Sequence, residues 1–314
     1  MKHRPFLKIL IFALAFGCSP AWAQSNITQA VFQSSVVNIA PGIYTSDPIV
    51  IPSGCTVRAF GAVITPSSNY TGGPFWTVSS GADLSGAQIS NVSGPVIYGS
   101  NVTAVKVHDL SVSNIGGHAI YILNGTRCQV YHNDISRILT AYSYGIICMG
   151  GSRNIVSNNL VQETSLAGFG IQLRMETGSQ VIANNVHNTY CEAINFTDCS
   201  SCQLQNNVCT WDDGTANDFG ISLNSYEGWC NLNQVSGNRI DCSGKAGIAV
   251  WDSSVGAFGD LGNTVDDNLI HNWDTLQQGW SGITQYGNVY NFIGMNLSYP
   301  DWSTGWSPPP QEGR

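Results

Sequence analysis

Charge is what this chain has least of. Only 10% of its 314 residues are Asp, Glu, Lys or Arg, and twelve cations face twenty carboxylates. Such a chain carries no positive field to hold a polyphosphate backbone or an anionic bilayer, which excludes nucleic-acid and membrane-surface binding through general electrostatics. Long hydrophobic runs are missing too: beyond residue 23 no stretch reaches the ~18 apolar residues needed to cross a bilayer, so no membrane insertion is expected. Long apolar patterns at helical spacing are absent, as is a Leu-x-x-Leu-x-Leu frame, so helical and leucine-rich arrays are set aside. Disorder is set aside as well, because 43% of the residues are hydrophobic, an ordinary globular value.

The first residues bear on the compartment. Lys2, Arg4 and Lys8 precede an apolar run from Ile9 to Phe16, and Ala21-Trp22-Ala23 supplies small residues at a cleavage point. This is the pattern of a signal peptide over 1–23, and it predicts a secreted, periplasmic or surface protein beginning at Gln24. Cys18 follows Ala-Phe-Gly, where the bulky Phe16 spoils a lipid-attachment motif. Loss of the three leader cations takes the net charge from −8 to −11.

Self-similarity organises the rest. A small residue followed by Ile recurs at Ala119-Ile120, Gly145-Ile146, Gly170-Ile171, Ala193-Ile194, Gly220-Ile221, Gly247-Ile248 and Gly282-Ile283, with steps of 23 to 27 residues until a last step of 35. An Asn column follows at Asn133, Asn159, Asn185, Asn207, Asn238 and Asn268, each with an aliphatic residue three positions earlier. Short alternating segments such as "GIQLR", "AINFT" and "GISLN" point Ile and the residue two later to one side, as in a strand. A period of this length built from strands predicts an all-β, parallel β-helix with stacked Ile columns inside and an Asn ladder at a bend.

The Asn-Asn punctuation of "SNNLV", "ANNVH" and "QNNVC" resembles the right-handed parallel β-helix proteins of the pectate-lyase-like superfamily. The resemblance runs from about Asn26 to Asn296. It implies a short capping helix near Ile27 to Gln33, a solenoid domain over 24–298, and a C-terminal capping segment and tail over 299–314 that holds Trp302 and Trp306. It implies little about chemistry, because lyases, hydrolases, epimerases, tailspikes and adhesins share the coil. "NFTD", Asn195 to Asp198, is similar to the Asn-Thr-Asp motif of polygalacturonases with one residue inserted, and Asp212-Asp213 resembles their paired aspartates; their Gly-His-Gly and Arg-Ile-Lys motifs are absent from the coils that follow.

A ligand of this architecture lies along the outside of one sheet. Outward positions after each Ile give Gln172, Arg174, Asn195, Thr197, Ser222, Asn224, Ala249, Trp251, Thr284 and Tyr286, a polar face with aromatic ends that suits sugars. Just beyond come four carboxylates, Glu176, Asp198, Glu227 and Asp252, and one cation, Arg174. If they form a row at the coil repeat of about 4.8 Å, they supply a general acid and base, or oxygen ligands for Ca²⁺, although no cofactor is required. Inserted loops bring Tyr226, Trp229 and Phe258 beside the same face. His187, Tyr190 and Glu192 form a second cluster in sequence, of the kind an alginate-type epimerase or lyase would use. The expected activity is that of a polysaccharide lyase or glycoside hydrolase working as a monomer; the alternative is a non-catalytic glycan-binding or surface-layer protein whose carboxylates only make turns.

Among the cysteines, Cys209 falls in the core column. Cys199 and Cys230 lie eight residues before successive ladder positions, an offset that suggests a disulfide between neighbouring coils. One C-x-x-C, Cys199 to Cys202, without a second is too little for a zinc knuckle.

Overall fold

The computed structural model describes residues 25–164, 168–212, 218–241, 243–252, 260–273, 281–286 and 289–299. The leader, the Trp302 and Trp306 tail and Phe258 lie outside them. The described chain winds as a right-handed β-solenoid with three parallel sheets of twelve, ten and twelve strands. One coil shows the plan: Ile171–Arg174 lies in the ten-stranded sheet, Gln180–Ile182 in the second and Asn185–His187 in the third. The next coil repeats it with Ile194–Thr197, Gln203–Gln205 and Val208–Thr210.

Alternation dictates the core. Ile120, Ile146, Ile171, Ile194, Ile221, Ile248 and Ile283 pair in register as one inward column, and Ile122, Cys148, Leu173, Phe196, Leu223 and Val250 as a second. Except for Ile283, which is partly buried, all are sealed from solvent. Each aliphatic side chain buried this way stabilises the fold by roughly 1.5–3 kcal/mol.

The Asn ladder is one residue off the expected column in one coil. Its rungs are Asn133, Asn159, Asn184, Asn207, Asn238, Asn268 and Asn296, with Asn184 in place of Asn185. Each amide nitrogen donates to the next rung's Oδ1, 2.9 Å from Asn159 to Asn184 and 3.0 Å from Asn184 to Asn207. That same oxygen also accepts the backbone N–H of the rung before it. Asn185 instead opens the strand Asn185–His187, in which it is exposed, Val186 buried and His187 partly buried. Val186 takes the core place beside Cys209, which is buried as the column required.

A second ladder runs five residues ahead of the first through Cys128, Asn154, Ser179, Cys202, Asn233, Asn263 and Asn291. Its mixed Asn, Ser and Cys chemistry hides it from a search for one residue type. Cys199 and Cys230 do face each other on successive coils, as the neighbouring pair Ser200 and Asn231 shows, yet the expected disulfide is not formed. Cys199 is a free thiol turned toward the carbonyls of Leu173 and Thr197, at 3.3 and 3.4 Å.

At the N-terminal end, a 3-10 turn, Gln29–Gln33, stands where a short helix is expected. It buries Phe32 edge-on against Trp76, 5.9 Å between ring centres, and so covers the first coil. Among the described residues no helix is long and apolar enough to cross a membrane.

Candidate functional site

The ten-stranded sheet presents one continuous outer face, the groove. Tyr98, Tyr121, Ile147, Gln172, Asn195, Ser222, Ala249 and Thr284 stack along it in register. Beside them runs Leu123, Met149, Arg174, Thr197, Asn224 and Trp251, the last paired through its backbone with Tyr286. A flanking column two residues before each Ile holds His118, Tyr144, Phe169 and Glu192, linked coil to coil by backbone hydrogen bonds. Aromatic rings fill the N-terminal half: Tyr98 meets Tyr121 at 5.4 Å, Tyr121 meets His118 at 5.2 Å, His118 stacks on Tyr144 at 5.0 Å, and Tyr144 meets Phe169 at 5.2 Å. Burial depresses the His118 pKa, so its imidazole is neutral at neutral pH.

The four carboxylates do not form one row. They follow their Ile by different numbers of residues: five for Glu176, four for Asp198, six for Glu227 and four for Asp252. Glu176 points into the solenoid with 0% exposure, where it accepts from Gly151 N, Asn154 Nδ2 and Ser179 Oγ at 2.9, 2.9 and 2.6 Å. Burial raises its pKa against those three bonds. A methyl group on Gly151 would stand 2.7 Å from its Oε1, so the bond needs glycine there. Asp252 pairs with Ser225 and continues the inward alternation of Ile248 and Val250 rather than that of Trp251.

Asp198 occupies a turn position where successive coils place Asn101, Asn124, Gly150 and Met175, all in the left-handed region; its own φ is 54°. Asn, Gly and Asp tolerate that conformation best. Only 8% exposed, its carboxylate receives the backbone N–H groups of Tyr226 at 2.7 Å, Glu227 at 3.1 Å and Gly228 at 2.9 Å. It is the anchor of the loop in the next coil. That loop delivers Glu227 to Arg174, Oε2 to Nη2 at 2.7 Å, and lays the Tyr226 ring 5.9 Å from the guanidinium carbon. Arg174 Nε is buried without a hydrogen-bond partner among the described residues, as is the Trp251 indole nitrogen. The structure therefore brings Arg174, Tyr226 and Glu227 together over the groove, with Asp198 beneath them, and leaves Glu176 and Asp252 elsewhere.

The centre of the groove holds a buried polar chain. Gln172 Nε2 donates to Asn195 Oδ1 at 2.9 Å, Thr197 Oγ1 donates to the same oxygen at 2.6 Å, Asn195 Nδ2 donates to Ser222 Oγ at 2.7 Å, and Ser222 Oγ donates to Glu192 Oε1 at 3.1 Å. Glu192 is 5% exposed, and its pKa is pushed up to about 8, first by burial and then by the Asp218 carboxylate. Asp218 is held by Lys245, Oδ1 to Nζ at 3.0 Å, and by the N–H of Phe219 at 3.1 Å. The adjacent Cys191 thiol is raised to about 12, chiefly by burial. Sequence singled out Glu192 only together with His187 and Tyr190. His187 belongs to another sheet, bonded to Thr210, and Tyr190 is exposed, so Glu192 alone reaches the groove. The signal that finds it is the flanking column, aromatic or His in three preceding coils and a carboxyl in this one.

A raised carboxyl pKa has a definite stability consequence. Glu192 binds its proton more tightly in the folded chain, so its contribution is fully present below the ordinary carboxylate range and is lost as pH rises through about 8. Melting temperature is expected to fall between pH 5 and 8, with a slope of at most about 1.4 kcal/mol per pH unit from this group, and to flatten there in Glu192→Gln.

The possibility of calcium rests on a row of carboxylates along the groove. The carboxylates expected to line up for it point to different places, and the one described cluster of three donors, Cys191, Glu192 and Asp218, includes a thiol and a carboxylate already neutralised by Lys245.

Residues 93–270 match the family described as "Right handed beta helix region", and the chain belongs to that family. Among solved structures it is similar to the A-module of a mannuronan C-5 epimerase of Azotobacter vinelandii, at 12% identity and TM-score 0.62 over 87% of this chain and 90% of that one. It is similar to an alginate lyase of a Paenibacillus species, at 14% identity and TM-score 0.62 over 87% and 99%. A polygalacturonase of Erwinia carotovora matches at 10% identity and TM-score 0.58 over 91% and 99%. No curated protein matches the chain.

Proposed function

We propose that this is an exported polysaccharide-active enzyme, a glycoside hydrolase or lyase, that lays a glycan along the groove parallel to the solenoid axis. The observation that carries this assignment is the passage, on one face, from the partly exposed aromatic terrace of Tyr98, Tyr121, His118 and Tyr144 to the Arg174 guanidinium, with the buried amide and hydroxyl run of Gln172, Asn195 and Ser222 as the floor beneath. Rings stack on the C–H faces of pyranoses, and a guanidinium pairs with the carboxylate of an acidic sugar. The coil repeat of about 4.8 Å lets successive sugars meet successive coils. Three proteins of the same fold are by name a mannuronan epimerase, an alginate lyase and a polygalacturonase, which agrees with a glycan in this groove. A second possibility, glycan binding without catalysis, is favoured by the structural work that Asp198 and Glu176 do.

Plant, algal and bacterial polysaccharides assayed for retardation in affinity gels, for reducing ends and for unsaturated products test the assignment. Arg174→Ala removes the only Arg or Lys on this strand face and is expected to weaken binding of an acidic glycan by about 10- to 100-fold, as loss of a charge-assisted bond does. Tyr121→Ala is expected to weaken any glycan by about tenfold. Full affinity in both variants would place the glycan on another face.

A further inference from the structure

We propose that Glu192 and Asp218 are the acid–base and nucleophile of a glycoside hydrolase that retains anomeric configuration, an inference that rests on the groove being the glycan site. One carboxylate oxygen of each lies no more than 4.8 Å from the other, which is short of the ~6.5–9.5 Å that inverting pairs leave for a water and within the reach of a retaining pair. Three further observations single out this pair. The Glu192 side chain is more than nine-tenths buried, yet its Oε2 receives no hydrogen bond from any other described residue. Its Oε1 is fixed over the groove by Ser222, the end of the chain that begins at Gln172. Both partners of Asp218, Lys245 and the Phe219 N–H, sit on Oδ1, which leaves Oδ2 for attack.

The environment separates the two roles. Lys245 bonds Asp218 directly, whereas Glu192 is buried beside the Asp218 carboxylate and holds its proton at neutral pH. Cys191 and Tyr144, the other titratable groups beside Glu192, have pKa values raised by burial and carry no charge there. In the first half-reaction Asp218 Oδ2 bonds to the anomeric carbon as the glycosidic C–O bond breaks, and the Glu192 proton goes to the leaving oxygen. In the second, a water bonds to the same carbon, its proton goes to the Glu192 carboxylate, and the ester bond breaks to return Asp218. One water is consumed, and no electron is transferred. The aromatic terrace lies on the N-terminal side of the pair, so several sugars bind there before the scissile bond.

The test offers polygalacturonate, alginate, xylan and β-1,3-glucan to the full chain and to Glu192→Gln and Asp218→Asn. Wild type is expected to release reducing ends from at least one, with the first-formed anomer retained by proton NMR. Both variants should bind that polysaccharide within threefold of wild type and lose at least 1000-fold in turnover. In Glu192→Gln the alkaline limb of the pH–rate profile near pH 8 should vanish, and with the matching glycosyl fluoride, whose leaving group needs no proton, a glycosyl ester should accumulate on the peptide that holds Asp218, seen by mass spectrometry after acid quench. Inversion, an unsaturated product, or variants as active as wild type would overturn the pair while leaving the groove intact. A wild-type chain that binds none of the four overturns the groove assignment and the pair with it. The melting temperatures of both variants at pH 5 identify a folding defect, and the NMR outcome on wild type decides the pair without any variant.

Discussion

Replacing Asp198 by Asn is expected to lower the melting temperature by about 5 °C, while glycan cleavage persists at a temperature where the variant is folded. The carboxylate gathers three consecutive backbone N–H groups of the next coil, from Tyr226, Glu227 and Gly228, at 2.7 to 3.1 Å. An Asn in its place keeps one acceptor oxygen but turns an NH₂ toward the Glu227 N–H and removes the charge that strengthens every bond. Charge-assisted bonds of this kind contribute roughly 1.5–3 kcal/mol, and one kcal/mol moves the melting point of a chain this long by about 2–4 °C. The loop also carries the partners of Arg174, so affinity for an acidic glycan should change severalfold. Thermal melts alongside turnover separate the possibilities: an Asp198→Asn protein that melts like wild type but has lost all turnover would mean that Asp198 acts on the substrate and not on the loop.

The same residue shows how far the sequence can be read. The Ile columns are legible because one residue type recurs at one offset and because a strand face requires it; every Ile from Ile120 to Ile283 pairs as expected. The Asn ladder is legible to within one residue, and the miss falls where two asparagines, Asn184 and Asn185, stand side by side. Spacing alone cannot choose between them. The choice is made by Val186, which must face inward beside Cys209. Carboxylates after the groove strand are a harder case, because a turn moves through the inside, the bend and the outside within three residues. Glu176 and Asp198 differ by one residue in offset and by a whole environment in space: one is sealed inside, and the other clamps a loop. Arg174 on an alternating strand could be placed on the groove face from sequence, since strand parity survives from coil to coil. Glu192 is harder to place, because its column carries rings on the preceding coils and no repeated letter of its own.

Fold and site are joined by this coil-to-coil support. The polar side chains at the centre of the groove are each bonded to a residue one turn away: Gln172 to Asn195, Asn195 to Ser222, Ser222 back to Glu192. Loop residues are set the same way, with Asp198 reaching forward to Glu227, and Glu227 reaching back over two coils to Arg174. The chemistry at the groove thus depends on the helical rise staying fixed, and the two interior ladders fix it. Where a groove on a compact domain would rely on a rigid sheet edge, this one relies on polar columns buried beneath it.

Breaking a central rung should therefore have a much larger effect than breaking the last. Asn207 donates to Val181 O, Gln205 O and Asn238 Oδ1 at 3.0 to 3.1 Å, and its own Oδ1 accepts both the backbone and side-chain N–H of Asn184 at 2.9 and 3.0 Å. Asn207→Leu leaves those donors and acceptors buried and unpaired, each at about 1–3 kcal/mol, so a loss of about 4–5 kcal/mol or failure to fold at 37 °C is expected. Asn296 makes bonds of the same kind to Val265 and Gly294, but it is only half-buried and water can replace its partners. Asn296→Leu should cost about 1 kcal/mol or less. In a solenoid each coil contacts only its neighbours, so a central defect weakens two interfaces and splits the stack, whereas a terminal one lets a single coil fray. Urea unfolding followed by tryptophan fluorescence is expected to show a sharply lower midpoint for Asn207→Leu, with a broadened or two-step transition, and a single near-native transition for Asn296→Leu. Equal shifts from the two substitutions would show that the ladder does not carry the coupling between coils, and that the aliphatic columns alone hold the groove in register.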